Sequence, residues 1–198
     1  SPGALFKGTL PGGGDMTLYL TRVGAPGGGS GSVLGMMFER RTGTWRILDS
    51  VAVRGTNLSF SRIGTGGTRE VFTATLSGSR LTGLGGGQAW TAERDPFFGT
   101  WRRNEEPSDD FDPTHIHVRA LEGDNEPARG KSLSGGFNAR WFEMFVTFPG
   151  SSRIHLQIGG GVFDGTLDSG GRLTGSLTSL VRSSVQASWT RLPDSCGL

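Results

Sequence analysis

One run of residues occurs twice in this chain, and that constrains its fold more than anything else in it. Residues 71–83 read VFTATLSGSRLTG, and residues 162–175 read VFDGTLDSGGRLTG. Each copy is followed by a tryptophan segment, Ala89-Trp90-Thr91 and then Ser188-Trp189-Thr190. Each is also preceded by a phenylalanine segment, Phe6-Lys7-Gly8-Thr9 and then Phe97-Phe98-Gly99-Thr100. Between these landmarks, further pairs keep their order: Leu18 with Ile116, Phe38 with Phe137, Trp45 with Trp141, and Leu58 with Ile154. Ordered self-similarity whose spacing drifts only at loops marks a duplicated unit. The boundary is expected at Arg94-Asp95-Pro96, where proline discourages strand continuation. This predicts a first repeat over 1–95 and a second over 96–198.

Within each repeat the apolar residues alternate with polar ones. Met16, Leu18 and Leu20 interleave with Thr17, Tyr19 and Thr21, and Phe72, Ala74 and Leu76 with Thr73 and Thr75. A period of two is the strand period. The 35 Gly and 9 Pro fall in short clusters between these runs, so they read as turns. The expectation is an all-β chain of two tandem repeats, each of about eight short antiparallel strands rolled into a barrel or sandwich. One stretch, residues 45–54, is apolar but alternates poorly, which predicts a bulge or an irregular turn. The inward set is expected to be Phe6, Leu18, Phe38, Leu58, Phe72 and Trp90, then Phe97, Ile116, Phe137, Ile154, Phe163 and Trp189.

The charge is nearly balanced, with 20 basic and 18 acidic residues and a formal net charge of +2. No basic run supplies the footprint that nucleic acid requires, so no nucleic-acid partner is expected. No apolar run is long enough for a membrane-spanning helix. Cys196 is the single cysteine, which excludes an intramolecular disulfide and leaves a free thiol or a cross-link to a second chain, with self-association as a corollary. The absence of an initiator Met at Ser1 fits a processed or trimmed N-terminus, so a secreted or periplasmic location is expected over a cytoplasmic one.

The segments FKGTL, MTLYLTRVG, ILDSVAVRGTNLSFSR, VFTATLSGSRLTG and AWTAER together resemble the small lipocalin-like (calycin-type) β-barrel modules of bacterial proteins. Gly99-Thr100-Trp101 fits the family's Gly-x-Trp element, whereas Gly8-Thr9-Leu10 lacks its Trp. The resemblance implies a barrel and a role in binding a small apolar ligand. It also admits a cofactor-independent cyclase or isomerase, a chemistry that some such barrels perform by shaping an apolar substrate beside one acid or base.

Two groups of residues could carry chemistry. His115 and His117, with Glu122 and the distant His155, follow an order similar to the cupin metal motif, which would imply a divalent metal held by imidazoles and a carboxylate. Against this, the histidines alternate with Ile116, Val118 and Ile154, so the strand period sends them to the polar face, and no metal site is expected. Glu105, Glu106, Asp109, Asp110 and Asp112 place several carboxylates in one loop, which suits either solvent or Ca²⁺. No nucleophile elbow, phosphate loop or dinucleotide fingerprint is present. The sequence therefore points to a non-catalytic module without cofactors that binds a small apolar ligand or acts in structure and interaction. The cyclase or isomerase is the alternative, and a cupin-like metalloenzyme a lesser one.

Overall fold

The structure of the chain is a computed structural model. The structure describes residues 3–24, 31–64, 66–107, 112–119, 128–134, 141–158, 161–179 and 182–198. Among the described residues the regular elements are seventeen strands. They are β1 (Ala4–Thr9), β2 (Asp15–Val23), β3 (Ser32–Glu39), β4 (Thr44–Ile47), β5 (Asp49–Arg54), β6 (Asn57–Ile63), β7 (Arg69–Ser77), β8 (Arg80–Gly85) and β9 (Gln88–Arg94), then β10 (Gly99–Arg103), β11 (Pro113–Arg119), β12 (Ala128–Ser134), β13 (Trp141–Gly150), β14 (Arg153–Ile158), β15 (Gly161–Leu167), β16 (Arg172–Ser179) and β17 (Arg182–Arg191). The all-β expectation therefore holds. Two compact units are formed, one by Ser1–Asp95 together with Pro193–Leu198, the other by Pro96–Leu192. Residues 193–198, which the duplication places with the second repeat, thus pack with the first.

In the first unit the strands form one antiparallel sheet in the order β4-β3-β2-β1-β9-β8-β7-β6-β5. Its two edge strands follow each other in the chain, separated only by Leu48, so the sheet curls into an open barrel with a seam. The poorly alternating stretch at 45–54 is the cause. Ser50 has φ 54°, a left-handed conformation that costs a non-glycine residue on the order of 1–3 kcal/mol. Next to it the β5–β6 register shifts between Asp49 and Ala52. Leu48 leaves the ladder, donates its N–H to Gly35 O at 2.9 Å and turns its side chain into the core. The core is one cluster containing Phe6, Leu18, Leu20, Met37, Leu58, Phe60, Phe72 and Trp90. Phe60 stacks on Phe72 at 4.9 Å, and Trp90 meets both rings edge-on at 6.0 Å.

The second unit closes completely, as β10-β11-β12-β13-β14-β15-β16-β17. Here β13 is unbroken and pairs with both β12 and β14. Its core gathers Trp101, Ile116, Val118, Met144, Val146, Ile154, Leu156, Phe163, Leu173 and Trp189.

Strand pairing corrects three of the matches drawn from sequence. Phe38 lies on the outer face against Trp45, with ring centroids 5.3 Å apart, and Met37 takes the inward position. In register, Phe38 opposite Trp45 corresponds to Leu133 opposite Trp141, so Phe137 is not its partner; Phe137 itself lies outside the described residues. Phe6 is opposite Leu18 and Arg94, the position that Trp101 holds opposite Ile116 and Arg191, whereas Phe97 precedes β10. Trp90 faces Gly83, while Trp189 faces Leu173 and Ala187 faces Gly175. Both tryptophans are buried, but Trp189 stands two residues further along its strand. Alternation defines a face and not a rung, so a shift of two or four residues is invisible to it.

The repeated Leu-Thr-Gly ending has a steric reason. A Cβ on Gly83 would sit 1.8 Å from Thr73 O, and one on Gly175 2.0 Å from Asp164 O, so only glycine lets β7 meet β8, and β15 meet β16, this closely. Gly83→Ala is expected to destabilise the protein by about 1–3 kcal/mol in urea titration. An unchanged midpoint would show that the strands separate without cost.

Candidate functional site at the seam of the first unit

The inward face of the first unit is apolar along most of its length and then becomes charged at one end. On β6 the inward residues run Leu58, Phe60, Arg62, and on β7 they run Glu70, Phe72, Ala74, since successive alternate residues share a face. Glu39 ends the inward row of β3, and Arg46 on β4 lies opposite Met37. These four side chains form an alternating chain of charge. Arg62 donates through Nη1 to Glu39 and through Nε to Glu70 Oε2 at 2.7 Å. Arg46 Nε lies 3.7 Å from Glu39 Oε1. The Arg62 guanidinium also sits 5.1 Å above the Phe72 ring, a cation–π contact. Arg62 and Glu39 are largely removed from solvent, at 12 and 16 % side-chain exposure, so each carries a desolvation cost that the pairing offsets.

The cluster lies where the ladder is missing. β4 pairs with β3 and β5 pairs with β6, and no strand pairing joins β4 to β6 among the described residues. Instead Arg46 Nη1 reaches Ile63 O at 3.4 Å, and Arg62 on β6 holds Glu39 on β3. Side chains tie together what the backbone leaves open. In the second unit the rung that matches Arg62 opposite Glu70 is Ile158 opposite Gly161, both uncharged, and there the barrel is closed. The sequence did carry a signal for this cluster: charged residues at alternate positions continuing an apolar row.

Outside the same seam the surface is apolar. Trp45 and Ile47 on β4 are 41 and 71 % exposed, Leu34 on β3 is exposed, and Ile63 on β6 is 47 % exposed. Phe38 and Met36 lie half-buried between them. Further round, the outer face of β5–β8 carries an open groove of about 350 Å³ lined by Arg54, Asn57, Ser59, Thr73, Thr75 and Thr82.

The histidines lie in the second unit, on the outer face. His115 and His117 alternate on β11 with the buried Ile116 and Val118. His115 Nδ1 meets Thr114 Oγ1 at 3.1 Å, and His117 Nδ1 meets Thr100 Oγ1 at 2.9 Å. Partial burial, helped by the neighbouring Arg102, holds His115 below the usual imidazole range. His155 lies on β14, with β12 and β13 between it and β11, and its Nδ1 pairs with Asp164 Oδ1 at 2.7 Å on the neighbouring strand. Glu122 lies outside the described residues. Among the described residues no group of three or more His, Cys, Asp or Glu side chains is placed to hold a metal ion.

In the acidic loop, Asp109 and Asp110 lie outside the described residues, and Glu106 is exposed. Glu105 accepts from Ser188 Oγ at 2.6 Å and from Ser188 N at 2.9 Å. Asp112 is buried against Arg103 Nη1 at 3.2 Å, and Arg103 Nε lies 3.6 Å from Glu105. A guanidinium therefore stands between two of the carboxylates, where a cation would otherwise be attracted. Partial burial pulls the Glu105 carboxyl upward, but the Ser188 hydrogen bonds and the nearby Arg103 outweigh it and hold the group below its ordinary value. A carboxyl lowered on folding contributes stability above its unfolded pKa and loses it as pH falls through the folded one. Glu105→Gln is therefore expected to lower the melting temperature at neutral pH, and the gap from wild type should close in acid. A gap that persists below the carboxylate range would rule out this linkage.

Cys196 is buried in the first unit, with its Sγ bonded to Asp194 Oδ1 at 3.1 Å. Cys196 is thus a buried free thiol, and a cross-link to a second chain would require residues 193–198 to leave their place.

Compared with known proteins, the chain matches no family model, no curated protein and no solved structure at a significant level.

Proposed function

We propose that this chain is a non-catalytic interaction module whose working surface is the apolar outside of the first unit around β4. One observation carries the reading: the inward positions are occupied by a continuous packed cluster, while large apolar side chains stand outside at the seam. Inward side chains that already pack on one another favour the exterior as the place to bind, and an exposed apolar patch beside a sheet edge suits a protein surface. A second copy of the chain fits, because a net charge of only +2 opposes close approach weakly. Sedimentation velocity over a wide concentration range tests this. Association is expected in the wild type and loss of it in a Trp45→Ser/Ile47→Ser variant. A monomer at every concentration would refute self-association, and a dimer that tolerates the double substitution would move the interface elsewhere.

The Arg62 cluster favours a second reading. It places acid and cation at the end of an apolar interior, the arrangement a cofactor-independent cyclase or isomerase requires. Saturable uptake of an apolar fluorophore that is lost in Glu39→Gln would favour this reading over the first.

A further inference from the structure

The other end of the first unit is closed by a segment that belongs to no strand. Residues 193–198 follow β17 and pack where β1 begins and β2 and β9 end. Arg94, the last residue of β9, lies with its guanidinium 5.4 Å from the Phe6 ring centroid. Its Nη2 donates to the Asp194 carboxylate and to the Leu198 main-chain oxygen, the latter at 2.7 Å. From β2, Arg22 N donates to Ser195 Oγ at 3.0 Å, and Arg22 Nε donates to Ser195 O at 3.0 Å. Thr21 Oγ1 lies 3.2 Å from Ser195 Oγ. Within the segment, Asp194 Oδ1 accepts from Gly197 N at 3.2 Å and from Cys196 Sγ. Gly197 has φ 78°, and this turn sends Cys196 into the core and Leu198 against it.

This arrangement is how a protein reads a short peptide. A cation takes the acidic side chain, backbone and side-chain donors take the main chain, and an apolar floor takes the small and aliphatic residues. Yet little holds the segment down. It has no ladder, two of its bonds lie at the exposed Arg22, and Cys196 is its one fully buried side chain. Segments with few buried apolar contacts and solvent-accessible hydrogen bonds open at lower free energy than the fold that carries them.

We propose that this end of the first unit is a recognition socket for a short acidic peptide, occupied in cis by residues 193–198, which open locally while the barrel stays folded. The thiol makes the opening measurable. In place, burial and the Asp194 carboxylate push the Cys196 thiol up to about 11, so it is unreactive near neutrality. Once the segment lifts, the thiol is an ordinary one.

The test uses the unmodified full chain. Cys196 labelling by an aromatic disulfide reagent is followed across a urea series, with and without a synthetic hexapeptide of the tail sequence carrying serine in place of cysteine. Labelling at low urea should be insensitive to denaturant and faster than global unfolding allows. Peptide that binds the vacated socket raises the open population by the factor 1 + [peptide]/Kd, so about a tenfold faster labelling is expected at roughly ten times its Kd. The same hexapeptide with Asp replaced by Asn should act only at higher concentration, because it cannot pair with Arg94. Labelling that follows global unfolding would overturn local opening. Labelling that ignores both peptides, or responds to them equally, would overturn the socket.

Discussion

Truncating Trp90 to alanine is expected to cost about 3–5 kcal/mol, a large part of what a small domain has in total. The indole is buried, lies edge-on to Phe60 and Phe72, and donates Nε1–H to Thr73 O at 3.2 Å. Its loss removes the edge contacts of two stacked rings and opens a cavity where β9 crosses Gly83. Trp189→Ala should cost a similar amount despite standing on a different rung, since it too is fully buried and meets Phe163 at 5.9 Å. Urea titration of each variant checks this. A cost near that of a surface substitution in both would mean that the two aromatic clusters do not hold their cores together.

Arg62→Ile should be the second costly change, at about 2–4 kcal/mol, because it leaves the largely buried Glu39 with only the 3.7 Å contact of Arg46 and takes the partner from the one-third exposed Glu70 at the mouth of an apolar core. The second unit shows the remedy, since the equivalent rung there is Ile158 opposite Gly161. Arg62→Ile combined with Glu39→Met and Glu70→Val is therefore expected to recover most of the loss, as replacing a whole buried ion cluster with packed apolar groups often does. If the triple variant is no more stable than Arg62→Ile alone, the cluster acts as a covalent-like tie across the seam rather than as a compensated charge set. Additive behaviour of the three substitutions would argue that the contacts are independent.

The general architecture was legible because burial imposes alternation: Leu58 and Phe60 inward, Ser59 outward, His115 and His117 outward around Ile116. The strand count near eight per repeat and the turn positions follow from the same pattern and from glycine. Three things were not legible. Poor alternation announced an irregularity over 45–54, but its placement at Leu48 depends on the backbone of Ser50, whose side chain gives no sign of a positive φ. The rung of Phe38 and of Trp189 depends on pairing across strands, which a period of two does not encode. The role of Cys196 depends on a contact with strands 174 residues earlier, where Ser195 meets Thr21, and no local pattern announces that. Of the candidate sites, the acidic loop and the histidines were visible as composition. The Arg62 cluster, which the fold assembles from four strands, was visible only as isolated charges in apolar rows.

The order in which a ribosome delivers this chain now takes on meaning. Among the described residues, strands of the second unit pair with one another alone, and all these partners have been made by Leu192. The first unit, although translated first, lacks the residues that fill its last core position and satisfy Arg94 until 193–198 emerge. The half that is born first is thus the half that matures last, and throughout synthesis of the second half it carries an open apolar end facing the cell's chaperones and proteases.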